Sequence, residues 1–349
     1  MKAIVTGGAG FIGSALVKKL IKSLKCEVMV IDSLTYASQM PSLQEVLENK
    51  LFSFSETDIC DTKSLMEIYA IFQPDFVFNL AAETHVDRSI DSPELFLKTN
   101  VMGTYSLLDV SLKFWRDLDA TSKRKFRFLH ISTDEVFGDL KENEPPFKET
   151  NNYHPSSPYS ASKASSDHLV RAWYKTYNLP VLLSNCSNNY GPFQFYEKLI
   201  PLMIIKALRG EKLPIYGTGM QVRDWLYVED HADALIKIIQ EGKVGESYNI
   251  GASCEKTNLQ VVKEICRILD EIKPSKPGNI TSYKELISFV DDRPGHDLRY
   301  AINSDKIKKE LNWKASEDFE SGLRKTVEWY LDKVDSISYE ANRIGINRN

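Results

Sequence analysis

No run of about 18 apolar residues occurs anywhere in the 349-residue chain, so no membrane-crossing helix organises it. The first apolar stretch starts at Lys2, so no signal peptide is expected ahead of it. Basic charge is not in excess: 44 Lys and Arg stand against 48 Asp and Glu, a formal net charge of −4. Without a basic stripe, the chain does not read as a nucleic-acid binder. Cysteine is scarce and unpatterned. Cys26, Cys60, Cys186, Cys254 and Cys266 are odd in number and show no Cys-x-x-Cys spacing. That excludes a disulfide framework and predicts reduced thiols in a cytoplasmic protein. The six histidines have no metal spacing, so no zinc or magnesium site is expected. Of them, His130, His154, His168 and His231 read as packing or surface residues. Internal repeats and low-complexity stretches are absent too.

What remains is an ordinary globular composition, 42% hydrophobic and 26% charged. A chain this long can bury a large core and divide into two lobes. Apolar, β-prone runs at 2–6, 27–31, 51–54, 76–80, 126–131 and 180–185 alternate with helical stretches. Such alternation predicts an α/β fold, a Rossmann-type doubly wound parallel sheet. The pattern breaks at Tyr190-Gly191-Pro192. Residues 1–188 are expected to form a nucleotide-binding domain, rejoined by about 221–251, where Trp225–Val228 and Ser247–Gly251 are β-prone. Residues about 189–220 and 252–330 are expected to form a smaller substrate lobe, and 335–349 a polar tail.

Two motifs carry the chemistry. The first opens the chain. The strand Met1–Thr6 runs into Gly7-Gly8-Ala9-Gly10-Phe11-Ile12-Gly13, and a helical run follows. Glycines there let the turn tighten and let a helix N-terminus approach a pyrophosphate. Glycine spacing alone is weak evidence, but here a strand precedes it and a helix follows. A second strand ends at Asp32. An acid at that place accepts from both adenosine ribose hydroxyls and repels a 2′-phosphate. Since Ser33–Ala37 holds no arginine, NAD is favoured over NADP.

The second motif is split. His130-Ile131-Ser132-Thr133-Asp134-Glu135 ends a buried parallel strand, and ligands of open α/β sheets sit outside such carboxyl ends. Farther on, Ser156-Ser157-Pro158 starts a helix on which Tyr159 and Lys163 share one face. A phenol titrates near ~10 and is a poor base at neutral pH. A neighbouring ammonium lowers that value. On its own, Tyr-x-x-x-Lys describes many ordinary helix pairs, and Asp-Glu after a strand describes many caps. Together with the nucleotide motif they describe a site that can move a hydride and expel water. Cys186 suits either a site wall or core filler, and Arg223 beside Asp224 suits either a phosphate contact or an ion pair.

The spacing Thr6-Gly7-x-x-Gly10-x-x-Gly13 with Tyr159-x-x-x-Lys163 resembles the extended short-chain dehydrogenase/reductase superfamily. Asn79–Ser89, Ser132–Val136, Asn185–Pro192, Arg223–His231 and 293–297 sharpen this to a resemblance to the dTDP-glucose 4,6-dehydratase family. The chain departs from that pattern at Phe137, Thr218 and Leu298. The resemblance implies NAD as cofactor. It implies cofactor contacts from Ser33, Leu34, Thr35, Asp58, Ile59, Leu80, Ala81, Ala82, Thr84, Thr99 and Asn189, besides the glycine loop (Gly7, Gly10, Phe11, Ile12, Gly13), Asp32, Tyr159 and Lys163. It implies dTDP-glucose as substrate, held by Thr84, Thr133, Asn188, Lys198, Leu199, Arg223, Asn258 and Arg293, with the base against Pro214-Ile215-Tyr216 and His296. The implied roles are a Tyr159 base aided by Thr133 and Lys163, an Asp134 acid and a Glu135 base. A homodimer follows from the same likeness, through helices near 100–118 and 159–177 with Val101, Leu107, Leu108, Leu112, Trp173 and Tyr177 as candidate surface. A UDP-glucose 4,6-dehydratase or a UDP-sugar 4-epimerase would share much of this pattern. The epimerase would not need Asp134 and Glu135.

Overall fold

The structure, a computed structural model, describes residues 1–292 and 295–343, with side chains as far as Lys333. Twelve strands are present among the described residues: β1 Lys2–Thr6, β2 Glu27–Asp32, β3 Phe52–Glu56, β4 Phe76–Asn79, β5 Arg127–Thr133, β6 Val181–Cys186, β7 Asn188–Tyr190, β8 Leu213–Tyr216, β9 Val222–Tyr227, β10 Ser247–Ile250, β11 Glu255–Thr257 and β12 Ile287–Val290. The main sheet runs β10-β6-β5-β4-β1-β2-β3, and each pairing in it is parallel. Its central strands are apolar on both faces because helices cover both. Ile4 and Val77 pack with Leu107, Leu108 and Val110 on one side, while Val5, Phe78 and Leu129 pack with Leu16 and Leu235 on the other.

The strand order reverses between β1 and β4, so a crevice opens at their carboxyl ends. The helix Phe11–Lys22 follows β1, and Pro158–Tyr177 follows β5 after a long loop. The latter starts as its sequence dictates. Ser157 is the N-cap, its side chain accepts from Ser160 N–H, Ser160 bonds back, and Pro158 occupies the first turn.

A second core gathers Ile200, Met203 and Ile204 with Val261, Ile265 and Leu269, under the sheet β11-β9-β7 and the parallel pair β8/β12. The segment 221–251 divides between the two cores. Its helix Val228–Glu241 and β10 join the main sheet, whereas β9 pairs with β7 and β11. The expected boundary at 252–330 is cut as well: Ile307, Leu311 and Trp313 pack into the main-sheet core. Their apolar spacing is helical and carries no label saying which core they fill. The helix Phe319–Arg343 runs past 335, so the polar stretch beyond that point is helical as far as Arg343. No helix among the described residues is long and apolar enough to cross a membrane.

Leu129 is fully buried in β5, the strand that delivers Thr133. Leu129→Ala is expected to destabilise the protein by about 2–5 kcal/mol, the range for emptying a tightly packed leucine site. A urea unfolding midpoint checks this, and an unchanged midpoint refutes it.

Candidate active site

A cleft of about 370 Å³ lies along the carboxyl ends of β1, β2, β4 and β5. Its floor is the glycine loop. Gly7 has a φ of +67°, and a Cβ there would sit 2.8 Å from Ala81 N. A Cβ on Gly13 would come within 2.1 Å of Gly7 O. The loop therefore packs backbone on backbone, and it presents the N-terminus of Phe11–Lys22 to the cleft, as a dinucleotide pyrophosphate requires. The expected residues Gly7, Gly10, Phe11, Ile12 and Gly13 line this floor. So do Asp32, Ser33 and Thr35 from the end of β2, and Asp58 and Ile59 beyond β3.

Asp32 is buried and already accepts from Ala9 N–H (3.0 Å), Leu34 N–H (2.9 Å) and Ser38 Oγ (2.7 Å). Its carboxylate braces the glycine loop as well as facing the cleft. Leu34 does not line the cleft; its positive φ of 50° lets its N–H turn back to Asp32. Leu80, Ala81, Ala82, Thr84, Thr99 and Asn189 all line it. The glycine cradle, the acid at the end of β2 and the small Ala81–Ala82 wall fit NAD.

At the other end of the cleft, Thr133, Asp134, Glu135, Tyr159 and Lys163 come together. The strand β5 hands over to a short turn at Asp134–Phe137, capped by Thr133, whose hydroxyl accepts from Glu135 N–H. Asp134 is buried and Glu135 half-exposed. Burial, then repulsion from Glu135 and Asp224, pushes the Asp134 carboxyl well above the usual carboxylate range. The two adjacent acids therefore stand in different environments. Tyr159 is pushed up as well, first by burial and then by Glu135. The sequence led us to expect a lowered phenol. The protein alone works the other way, because Lys163 Nζ donates to Ile131 C=O at 2.8 Å and is itself drawn down by burial. Cys186 lines the cleft, and burial pushes its thiol up to about 12, so it stays protonated.

Asn188 and Lys198 line the same cleft, and Lys198 Nζ donates to Thr84 C=O at 3.1 Å, tying the second lobe to the loop after β4. Thr84 and Thr133 line the cleft too, whereas Leu199, Pro214, Ile215, Tyr216, Arg223, Asn258 and His296 do not. Leu199 starts the helix Leu199–Leu208, and Asn258 starts Asn258–Ile272. Ile215 turns its side chain into the second core, because alternate residues of β8 face opposite ways. Tyr216 points outward, edge-on to His296 at 6.2 Å between centroids, and Pro214 is half-buried. Arg223 is buried; it donates to Asp297 C=O at 3.0 Å and lies 4.3 Å over the Tyr300 ring. Arg293 lies outside the described residues.

Sequence reasoning passed over Glu83 and Glu197, which also line the cleft. Burial raises both carboxyls, and Arg88 reaches Glu197 at 3.2 Å. Only Glu83, inside Asn79–Ser89, carried a signal. Of the histidines read as packing residues, His130 and His231 are fully buried, and burial lowers them to about 4 and about 3. No cluster of metal-ligating side chains is found among the described residues.

Gly13→Ala is expected to lose NAD, since its Cβ cannot coexist with Gly7 O at 2.1 Å. Titration of the variant with NAD by calorimetry checks this; affinity within twofold of the unchanged protein would refute the cradle.

Comparison with known proteins agrees with this geometry. A family model described as GDP-mannose 4,6 dehydratase matches residues 4–326. A dTDP-glucose 4,6-dehydratase of Neisseria meningitidis serogroup B is 54% identical over 353 residues, covering 99% of this chain and 99% of the relative. The dTDP-glucose 4,6-dehydratase of Bacillus anthracis, solved in complex with NAD, superposes with a TM-score of 0.86 at 40% identity, covering 97% of this chain and 99% of that one. That of Streptomyces venezuelae, also solved with NAD, gives a TM-score of 0.86 at 38% identity over 96% and 98% of the two chains. At such identity and coverage, the chain belongs to the dTDP-glucose 4,6-dehydratase family.

Proposed function

We propose that this protein is an NAD-dependent hydro-lyase that converts dTDP-glucose to dTDP-4-keto-6-deoxy-glucose and water, as part of deoxysugar nucleotide synthesis. The observation that carries it is the buried Asp134 beside the more exposed Glu135, in one cleft with Tyr159 and Lys163. A 4-epimerase needs the phenol and the ammonium but not the two acids. Bound NAD supplies a hydride acceptor for sugar C4, a hydride donor for C6 and a positive ring beside the phenol. Tyr159 takes the proton of the sugar 4-hydroxyl, and Thr133, within bonding reach of Tyr159, steadies the same oxygen. Lys163 adds positive charge there. Once C4 is a ketone, the C5 proton is acidic, and Glu135 removes it. Asp134, held protonated by burial and by its anionic neighbours, gives its proton to the leaving C6 hydroxyl, which departs as water; C5 regains a proton as C6 takes the returning hydride, completing the 4-keto-6-deoxy sugar. Asn188, Lys198, Leu199, Arg223, Asn258 and Arg293 hold the nucleotide diphosphate; the base lies against Pro214, Tyr216 and His296. Five unpaired thiols suit a reducing cytoplasm.

The protein is expected to work without added NAD and to prefer dTDP-glucose over UDP-glucose, because a thymine methyl favours an apolar wall. Product analysis with both sugars checks this; no 4-keto-6-deoxy product from either would overturn the reading. Asp134→Asn and Glu135→Gln are expected to slow dehydration by about 10²–10⁴-fold, the usual worth of a positioned acid or base. Both variants should still accumulate reduced cofactor in rapid mixing. Loss of substrate oxidation in both would contradict their roles.

The homodimer reading is carried by an outward face on neighbouring helices, with Leu97 and Met102 each 53% exposed and Tyr105 stacked edge-on to Trp173. Of the residues first considered, Leu107, Leu108 and Leu112 face the main core instead, because they lie on the inner stripe of their helix. Sedimentation at micromolar concentration is expected to give a dimer; a monomer would refute it.

A further inference from the structure

One buried charge has no place in the scheme above. Asp167 is fully buried, four residues after Lys163 on the inner face of the helix Pro158–Tyr177. An uncompensated carboxylate is costly in such a place. This one is elaborately held. Ser132 Oγ and Tyr153 Oη each donate to its Oδ2 at 2.9 Å, and Asn185 Nδ2 adds a contact at 3.4 Å. Arg171 in turn donates to Tyr153 Oη at 3.2 Å.

The other oxygen faces His130, whose Nε2 lies 3.4 Å from Oδ1; neither atom has another partner among the described residues. A directed chain fixes which nitrogen of His130 carries the proton. Ala81 N–H donates to Thr6 Oγ1 (3.2 Å), and Thr6 Oγ1 donates to Asn79 Oδ1 (2.8 Å). The Asn79 amide nitrogen is then the donor to His130 Nδ1 (3.0 Å). With Nδ1 accepting, the neutral ring carries its proton on Nε2, toward Asp167. The chain thus runs from the Ala81 wall of the cleft to the carboxylate behind Lys163.

Lys163 is braced against the same short stretch of β5. Its Nζ donates to Ile131 C=O, while His130 and Ser132 on either side of Ile131 both face Asp167. We propose that Asp167 is a positioning residue for the oxidation step, a fixed countercharge that keeps the Lys163 ammonium charged and in place beside Tyr159. The proposal rests on the oxidative role of Tyr159 and Lys163 given above. Burial alone works against the ammonium, and the Asp167 charge opposes that effect. The groups facing the pair from other elements are neutral His130 on β5, Cys186 on β6 and Tyr153 in the loop before the helix; Asp134 and Glu135, just after β5, line the same cleft.

The test is the pH dependence of substrate oxidation by the NAD-bound enzyme, read as reduced cofactor in a single turnover with dTDP-glucose. In Asp167→Asn the buried amine should lose its proton at lower pH, and Tyr159 should then ionise at higher pH. The ascending limb is expected to move up by about one pH unit, lowering the rate near neutrality about tenfold, with substrate affinity unchanged. A direct loss of negative charge near Tyr159 would move the limb the other way, so a limb that falls or stays put overturns the proposal. Adding Asp167→Asn to Lys163→Met should cost little more than Lys163→Met alone, whereas a purely structural role would give additive losses. If Asp167→Asn does not fold, Tyr153→Phe carries the test. It removes one donor and the link to Arg171, and should move the limb the same way by a smaller amount; an unmoved limb overturns the proposal. Should the unchanged protein form no reduced cofactor with dTDP-glucose, the function reading fails. Asp167 is then judged by tyrosinate absorbance against matched Tyr159→Phe proteins, where an unshifted Tyr159 ionisation overturns it.

Discussion

Parallel pairing throughout the main sheet is the constraint on which the rest depends. Strands that all run one way put all their carboxyl ends at one edge. Chain turns there, polar side chains collect there, and the order reversal between β1 and β4 opens a crevice among them. Backbone register then does the aiming. Asn79 pairs with both Thr6 and His130, so the glycine loop, the Leu80–Ala82 wall and the Thr133 turn stand side by side although they lie far apart in sequence.

On that frame, burial sorts like groups into unlike roles. Asp134 and Glu135 are neighbours in sequence and have the same unperturbed chemistry within half a pH unit or so. Asp134 turns inward, and burial, then repulsion from Glu135 and Asp224, raises its carboxyl well above the usual range. The same burial acts on Tyr159 and Lys163 with opposite sense, raising the phenol and lowering the ammonium. Both shifts disfavour the charged pair that the proposed oxidation step uses. The positive nicotinamide and a buried countercharge are the two available means of restoring it. The proposed countercharge role fits a fully enclosed aspartate with several donors one helical turn behind the lysine.

The second lobe contributes shape more than acid-base chemistry. Its core of branched aliphatic residues supports β8 and β9, from which Tyr216 and Arg223 project. The Arg223 guanidinium lies over Tyr300 and bonds backbone carbonyls, which fixes its direction. Lys198 bridges to Thr84 and couples this lobe to the loop after β4.

Much was legible in the sequence for a local reason. Strands such as Lys2–Thr6 and Arg127–Thr133 are short apolar runs that stop at polar residues, and Gly7–Gly13 can serve few purposes between a strand and a helix. Ser157-Pro158 starts a helix by capping alone. These signals depend on neighbours within a few positions, so the order of residues is sufficient to reveal them. Other features depended on partners distant in the chain. Whether Leu107, Leu108 and Leu112 face the core or the surface, which core takes Ile307 and Trp313, and that Ile215 points inward were set by packing against segments that local periodicity cannot name. Glu83 and Glu197 became part of the cleft only through folding. The direction of the Tyr159 shift also belonged to the tertiary structure, because desolvation is a property of everything surrounding a group, and a sequence lists only what precedes and follows it.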